Sequence, residues 1–194
     1  MTSANIITNT IRRTSGSRPI ATVTISRPSK LNSLNSHLLN LLAQEIRSIP
    51  QSHPDLLAVI LTGHGTKSFV GGADIGEMAT LASPAAAREF ITKVHTACKS
   101  IRDCPVPVIG RINGYALGAG LEIAASCDFR VASRNAVFGM PEVCLPRCLF
   151  CPRLSLRKTK LRYQGKRWNP QRYGSGPPAW VNRMGTDTST TDAR

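Results

Sequence analysis

Two stretches of the chain combine backbone freedom with a carboxylate. The first is Ser68-Phe-Val-Gly-Gly-Ala-Asp-Ile-Gly-Glu-Met78, where Gly71 and Gly72 follow a buried strand and can bring backbone close to a ligand. The second is Asn113-Gly-Tyr-Ala-Leu-Gly-Ala-Gly-Leu-Glu-Ile123. There a strand and turn feed a helix whose first amides lack intrahelical acceptors and carry the positive end of the dipole. Two loops with free N–H groups can together hold an oxygen that gains negative charge during a reaction. Each stretch also has a plainer reading. Glycines after strands are usually turns, and Gly118-Ala119-Gly120 with Ala124 can be tight helix packing. The dinucleotide fingerprint G-x-G-x-x-G fails, because its last position is Ile123.

The elements that would carry these loops follow from periodicity. Leu38, Leu39, Leu41, Leu42, Ile46 and Ile49 recur at helical spacing, predicting a helix from Ser36, as N-cap, to a stop at Pro50. Leu56 to Thr62 is a short continuous apolar run before Gly63, as a buried strand requires. Pro84 opens a second helical pattern that ends before Pro105. Val106 to Ile109 is a second buried strand, Gly118 to Ser126 a buried helix, and Phe129 to Ala132 and Ala136 to Phe138 two further strands. Ile6 to Ile11 and Ile20 to Ile25 flank the turn Gly16-Ser17-Arg18-Pro19 and predict a hairpin. The same N-terminal residues, with Arg12, Arg13, Arg18, Arg27 and no acid, also have the composition of a mitochondrial presequence; the hairpin explains them better. Strands alternating with helices give an α/β fold over residues 1–145.

With 194 residues and 41% hydrophobic side chains, the chain can build one sizeable core. No apolar run approaches the roughly 20 residues that a bilayer span needs, so no membrane partner is expected. Six cysteines without regular spacing give neither a disulfide framework nor, for Cys148 and Cys151 standing alone, a zinc site. Residues 1–147 carry 15 basic against 9 acidic side chains, and residues 148–194 carry 10 against 2. More than half of the net +14 therefore lies in the last quarter.

Four motifs occur in order: RPSKLNSL (Arg27 to Leu34), FVGGADIGEM (Phe69 to Met78), INGYALGAGLEIAASCDFRVAS (Ile112 to Ser133) and FGMPE (Phe138 to Glu142). Across about residues 5–145 this series resembles the crotonase (enoyl-CoA hydratase/isomerase) family. The resemblance implies a spiral of ββα units that takes a CoA thioester as substrate, holds no permanent cofactor and usually assembles as a homo-oligomer. Carried over by position, the amides of Gly71 and Ala119 would bind the thioester oxygen, with Gly72, Ala73 and Asp74 in the same loop. Glu122 and Glu142 would stand at the two catalytic carboxylate positions. Hydrating a 2-enoyl thioester uses two such groups, one to deprotonate water and one to deliver a proton to the α-carbon, so the pair favours a hydratase over an isomerase. Arg27 and Lys30 could meet CoA phosphates, and Asp74 could hold its loop or meet the adenine. Within the family the chain is similar to divergent members of fungal toxin pathways, which suggests a peroxisomal compartment, with the cytoplasm as the alternative. The chain closes in Asp-Ala-Arg rather than Ser-Lys-Leu.

After Leu145 the family pattern stops. The family continues into helices that cover the acyl pocket, whereas residues 146–194 are rich in Arg, Lys, Pro, Gly and Thr without helical or strand period, the composition of a basic, disordered tail. The abrupt change resembles a shifted reading frame or a truncated duplicate of a longer enzyme. The alternative to a hydratase is then an inactive family remnant whose tail binds nucleic acid or another polyanion, Tyr163, Trp168, Tyr173 and Trp180 being able to stack on bases. Scattered aromatic residues are a weak sign of that, and nucleic acid is not the expected partner.

Overall fold

A computed structural model of the chain describes residues 6–12 and 18–141. The N-terminal hairpin forms as expected: β1 (Ile6–Arg12) runs antiparallel to β2 (Ile20–Ser26), with Ile6 opposite Ser26 and Arg12 opposite Ile20. Alternation along β2 sends Ala21, Val23 and Ile25 into the core, the period of two that a half-covered strand needs. Three parallel strands extend this sheet, β3 (Ala58–Gly63), β5 (Val108–Ile112) and β7 (Phe129–Ala132), in the order β1-β2-β3-β5-β7. β3 is buried along nearly its whole length, which is why it reads as an unbroken apolar run.

A second, smaller sheet was not foreseen in full. β4 (Ser68–Val70), β6 (Tyr115–Leu117) and β8 (Val137–Gly139) pair in parallel in that order. The three parallel strands β3, β5 and β7 of the large sheet thus each lead into a strand of the small one, β4, β6 and β8, and helices close the units. They are α1 (Ser36–Ser52), the five-residue α2 (Ile75–Ala79), α3 (Pro84–Asp103) and α4 (Ala119–Ser126). Successive ββα units step along both sheets, which is the expected spiral. α1 and α3 cover one side with Leu38, Leu39, Leu42, Ile46, Phe90, Val94, Ala97 and Ile101 in a shared core.

Several boundaries differ from the sequence reading, those of α1 and β5 among them. Asn35, not Ser36, caps α1, its side chain accepting from the Leu38 amide at 2.9 Å. The helix also runs through Pro50 to Ser52. Pro50 lies in the last turn, where the missing donor forfeits a single bond. β5 begins at Val108 rather than Val106, anchored where the buried Asp128 carboxylate accepts the Val108 amide at 2.9 Å. The expected absence of C-terminal helices and the boundary at residue 145 lie outside the described residues.

Candidate functional site

The loop between β4 and α2 is fixed by its bonds to residues 31–34. Gly71 donates its N–H to the Leu31 carbonyl at 2.9 Å, and a Cβ at Gly71 would lie 2.9 Å from that same oxygen. The Gly71 amide is therefore occupied, which corrects the expectation that it binds a thioester oxygen. Leu34 donates to the Gly72 carbonyl and accepts from Asp74, both at 2.8 Å, forming a parallel bridge opposite Ala73. Strand alternation turns the Ala73 N–H to the other side, where it meets no acceptor among the described residues. Gly72, at φ +117°, sets that peptide in a conformation few side chains tolerate.

The second loop repeats the device. Gly118 has φ +50° and donates to the Gly139 carbonyl at 2.9 Å, while its own carbonyl accepts from Leu121 and Glu122. Ala119 and Gly120 open α4, and their amides meet no acceptor among the described residues, as helix N-termini dictate. The loops are in contact. A Cβ on Gly72 would lie 3.3 Å from the Leu117 carbonyl oxygen, and one on Gly120 only 2.1 Å from that of Val70. Ala73 and Ala119 each follow a glycine of positive φ and sit on neighbouring loops, aligned by the parallel pairing of β4 with β6.

Of the acidic candidates, Asp74 is buried and structural. Its carboxylate caps α2 by accepting the Gly76 amide at 2.8 Å and pairs with Arg27 at 2.5 Å. Burial pushes its pKa up, but hydrogen bonds from Arg27 and Gly76, with the charges of Arg27 and Lys30, outweigh that and hold it below the usual aspartate value. Arg27 is thus turned inward to Asp74 and to the Ser33 carbonyl, whereas Lys30 is exposed. Glu122 lies one turn into α4, exposed, and its carboxylate makes no hydrogen bond or ion pair among the described residues. It opens onto a groove of about 720 Å³ between α3 and α4, beside Thr92, His95, Lys99 and Arg102. Neither alanine amide lines that groove. Cys98 lies at its floor with its pKa raised, first by burial and further by the Glu122 charge, so its thiol stays protonated. Glu142 lies outside the described residues.

Two asparagines escaped the sequence reading. The buried Asn32 donates to the His64 and Ser68 carbonyls at 3.0 and 2.9 Å and accepts the Arg27 amide at 2.9 Å. Asn113 donates to the Gly63 and Ser68 carbonyls at 2.9 and 3.2 Å. Both pin the turn between β3 and β4, and each sits in a motif, RPSKLNSL or INGYALG, that could have drawn notice to it. Among the described residues no group of three His, Cys, Asp or Glu could hold a metal ion, and no helix is long and apolar enough to cross a membrane.

The chain is similar to known proteins. The family model described as enoyl-CoA hydratase/isomerase matches residues 15–147. The short-chain-enoyl-CoA hydratase of Clostridium acetobutylicum is 48% identical over 124 residues, 64% of this chain and 47% of that protein. The crotonyl-CoA hydratase of Syntrophomonas wolfei is 42% identical over the same shares. Among solved structures, an enoyl-CoA hydratase from Bacillus anthracis superposes with a TM-score of 0.64 at 32% identity, covering 71% of this chain and 52% of that one. The chain spans about half the length of the curated relatives it matches. With the alternating two-sheet spiral and its paired Gly-Ala turns in place, and a family model matched over more than half its residues, the chain belongs to the enoyl-CoA hydratase/isomerase family.

Proposed function

We propose that the chain binds a short-chain 2-enoyl-CoA and hydrates it, with the amides of Ala73 and Ala119 holding the thioester oxygen. The observation that carries this reading is the repeated Gly-Ala turn. Gly72 and Gly118, both at positive φ on touching loops, each present the following amide without an acceptor among the described residues. As water adds to the β-carbon, the π electrons of the double bond move onto the thioester oxygen. Fixed N–H dipoles stabilise that charge with no reorganisation at the moment of reaction. Glu122 and Glu142 then divide the proton work, one taking a proton from water and the other returning one to the α-carbon. The names of the bacterial relatives support a short acyl chain; they lend no support to a toxin pathway or a peroxisomal compartment.

Loss of the conjugated thioester absorbance, followed with a short-chain 2-enoyl-CoA, tests the reading. Glu122→Gln and Glu142→Gln should each cut turnover by at least about 10²-fold. Unchanged turnover in both variants would remove the two-carboxylate assignment, and no hydration by the unaltered chain would remove the activity itself.

A further inference from the structure

The Ala73 amide is carried by a loop that does not hold itself. Leu31 and Asn32 stand at φ +52° and +56°, a conformation that non-glycine side chains adopt only when their surroundings impose it. From this turn the Leu31 carbonyl grips Gly71, and Leu34 grips Gly72 and Asp74. Arg27 stands at the head of the turn. Its guanidinium spans from the Ser33 carbonyl, 3.3 Å away, to the Asp74 carboxylate at 2.5 Å, with both ionic side chains largely buried. Asp74 follows Ala73 directly and caps α2 through Gly76. A second tie runs from the middle of α2, where the Glu77 carboxylate accepts the Ser36 amide at 2.8 Å.

We propose that Arg27 and Asp74 are positioning residues for the thioester oxygen site, their ion pair fixing the peptide that aims the Ala73 amide. The inference rests on the hydratase reading above. It gives Arg27 a role different from the CoA-phosphate contact that the sequence suggests, since the guanidinium faces Asp74 and not solvent. Preorganised donors lose most of their effect when displaced, and a shift of 1 Å can cost about 10²-fold.

Asp74→Asn isolates the pair, because the amide oxygen can still cap α2 while the charge is gone; Arg27→Lys keeps a cation but not the fork. Both are read on the full chain by infrared spectroscopy of a bound, saturated short-chain acyl-CoA carrying ¹³C at its carbonyl. A saturated ligand cannot be hydrated, and hydrogen bonds to the carbonyl lower its stretching frequency. Asp74→Asn should return most of that shift toward the value in water and lower kcat for the enoyl substrate by about 10- to 100-fold, with KM little changed. Arg27→Lys should lose less. The losses should be the same with the pantetheine thioester, which lacks the nucleotide phosphates. A full carbonyl shift retained in Asp74→Asn overturns the inference while leaving the hydratase reading intact. An Arg27→Lys defect confined to KM for the CoA thioester assigns Arg27 to phosphate and overturns it likewise. An unaltered chain that binds the ligand without any shift overturns the oxygen site and the inference together.

Discussion

A methyl group at Gly120 would stand 2.1 Å from the Val70 carbonyl oxygen, which is backbone in a paired strand and cannot rotate away. At Gly65, by contrast, the space is open and only the positive φ of 76° resists substitution. Gly65→Ala should therefore cost about 1–2 kcal/mol, the price of a left-handed conformation. Gly120→Ala should reach or exceed the upper end of the about 1–3 kcal/mol typical of overpacking. Urea midpoints of the two variants measure the difference, and equal losses would show that α4 slides off β4 cheaply. The same scale shows where motif reading ends. That Gly71, Gly72, Ala73 and Ala119 cluster was legible from FVGGADI and ALGAG. Which amide is free was not, because it depends on the bridge between Leu34 and Ala73, a contact across many residues that leaves no local mark. Glu122 was legible as a candidate carboxylate and is exposed on α4, yet nothing in its apolar neighbours Leu121 and Ile123 told of the groove beside α3.

Among the elements, the long helices and the strands of the large sheet were visible in advance, since their apolar periodicity is strong and their length sufficient. β4 and β6, three residues each, were expected only as strands without bounds ahead of the two glycine loops, and the five-residue α2 not at all, for such short segments carry too few positions to show a period. α2 cannot stand alone, a single turn being well below the length at which isolated helices persist. It is held by its cap at Asp74 and by the Glu77 tie to α1. This gives a pH dependence. The Asp74 carboxyl is held below its usual value in the folded chain, whereas the unfolded chain titrates it near 3.9. The unfolded state thus binds the proton more readily, and the stabilisation from Asp74 is complete above about pH 4 to 5 and lost as pH falls through the depressed folded value. Denaturant unfolding measured from pH 6 down to pH 3 should show a smaller acid-induced loss of stability in Asp74→Asn than in the unaltered chain. Parallel curves would mean that the Arg27 pair contributes nothing to the linkage.

For the whole molecule, the last described unit leaves two strands at the margins, β7 beside β5 in the large sheet and β8 beside β6 in the small one. On or next to them Val131 is 60% exposed, Val137 46% and Met140 39%, and Tyr115, in register with Val137, is 38% exposed. Strand margins bearing apolar side chains favour pairing between copies, and clustered exposed apolar surface drives association generally. The net charge of +14 opposes it through repulsion. Salt separates the two effects, because at physiological strength it screens the repulsion between exposed charges more than about 8 Å apart and leaves apolar burial in place. The chain should therefore self-associate more strongly as salt is raised, measured by sedimentation over a range of protein concentrations. Val131→Lys with Val137→Lys should weaken that association while changing stability by no more than about 0.5 kcal/mol, both sites being exposed. Association that weakens with salt would instead place charged residues at the contact, and association unaffected by both lysines would move it away from β7 and β8.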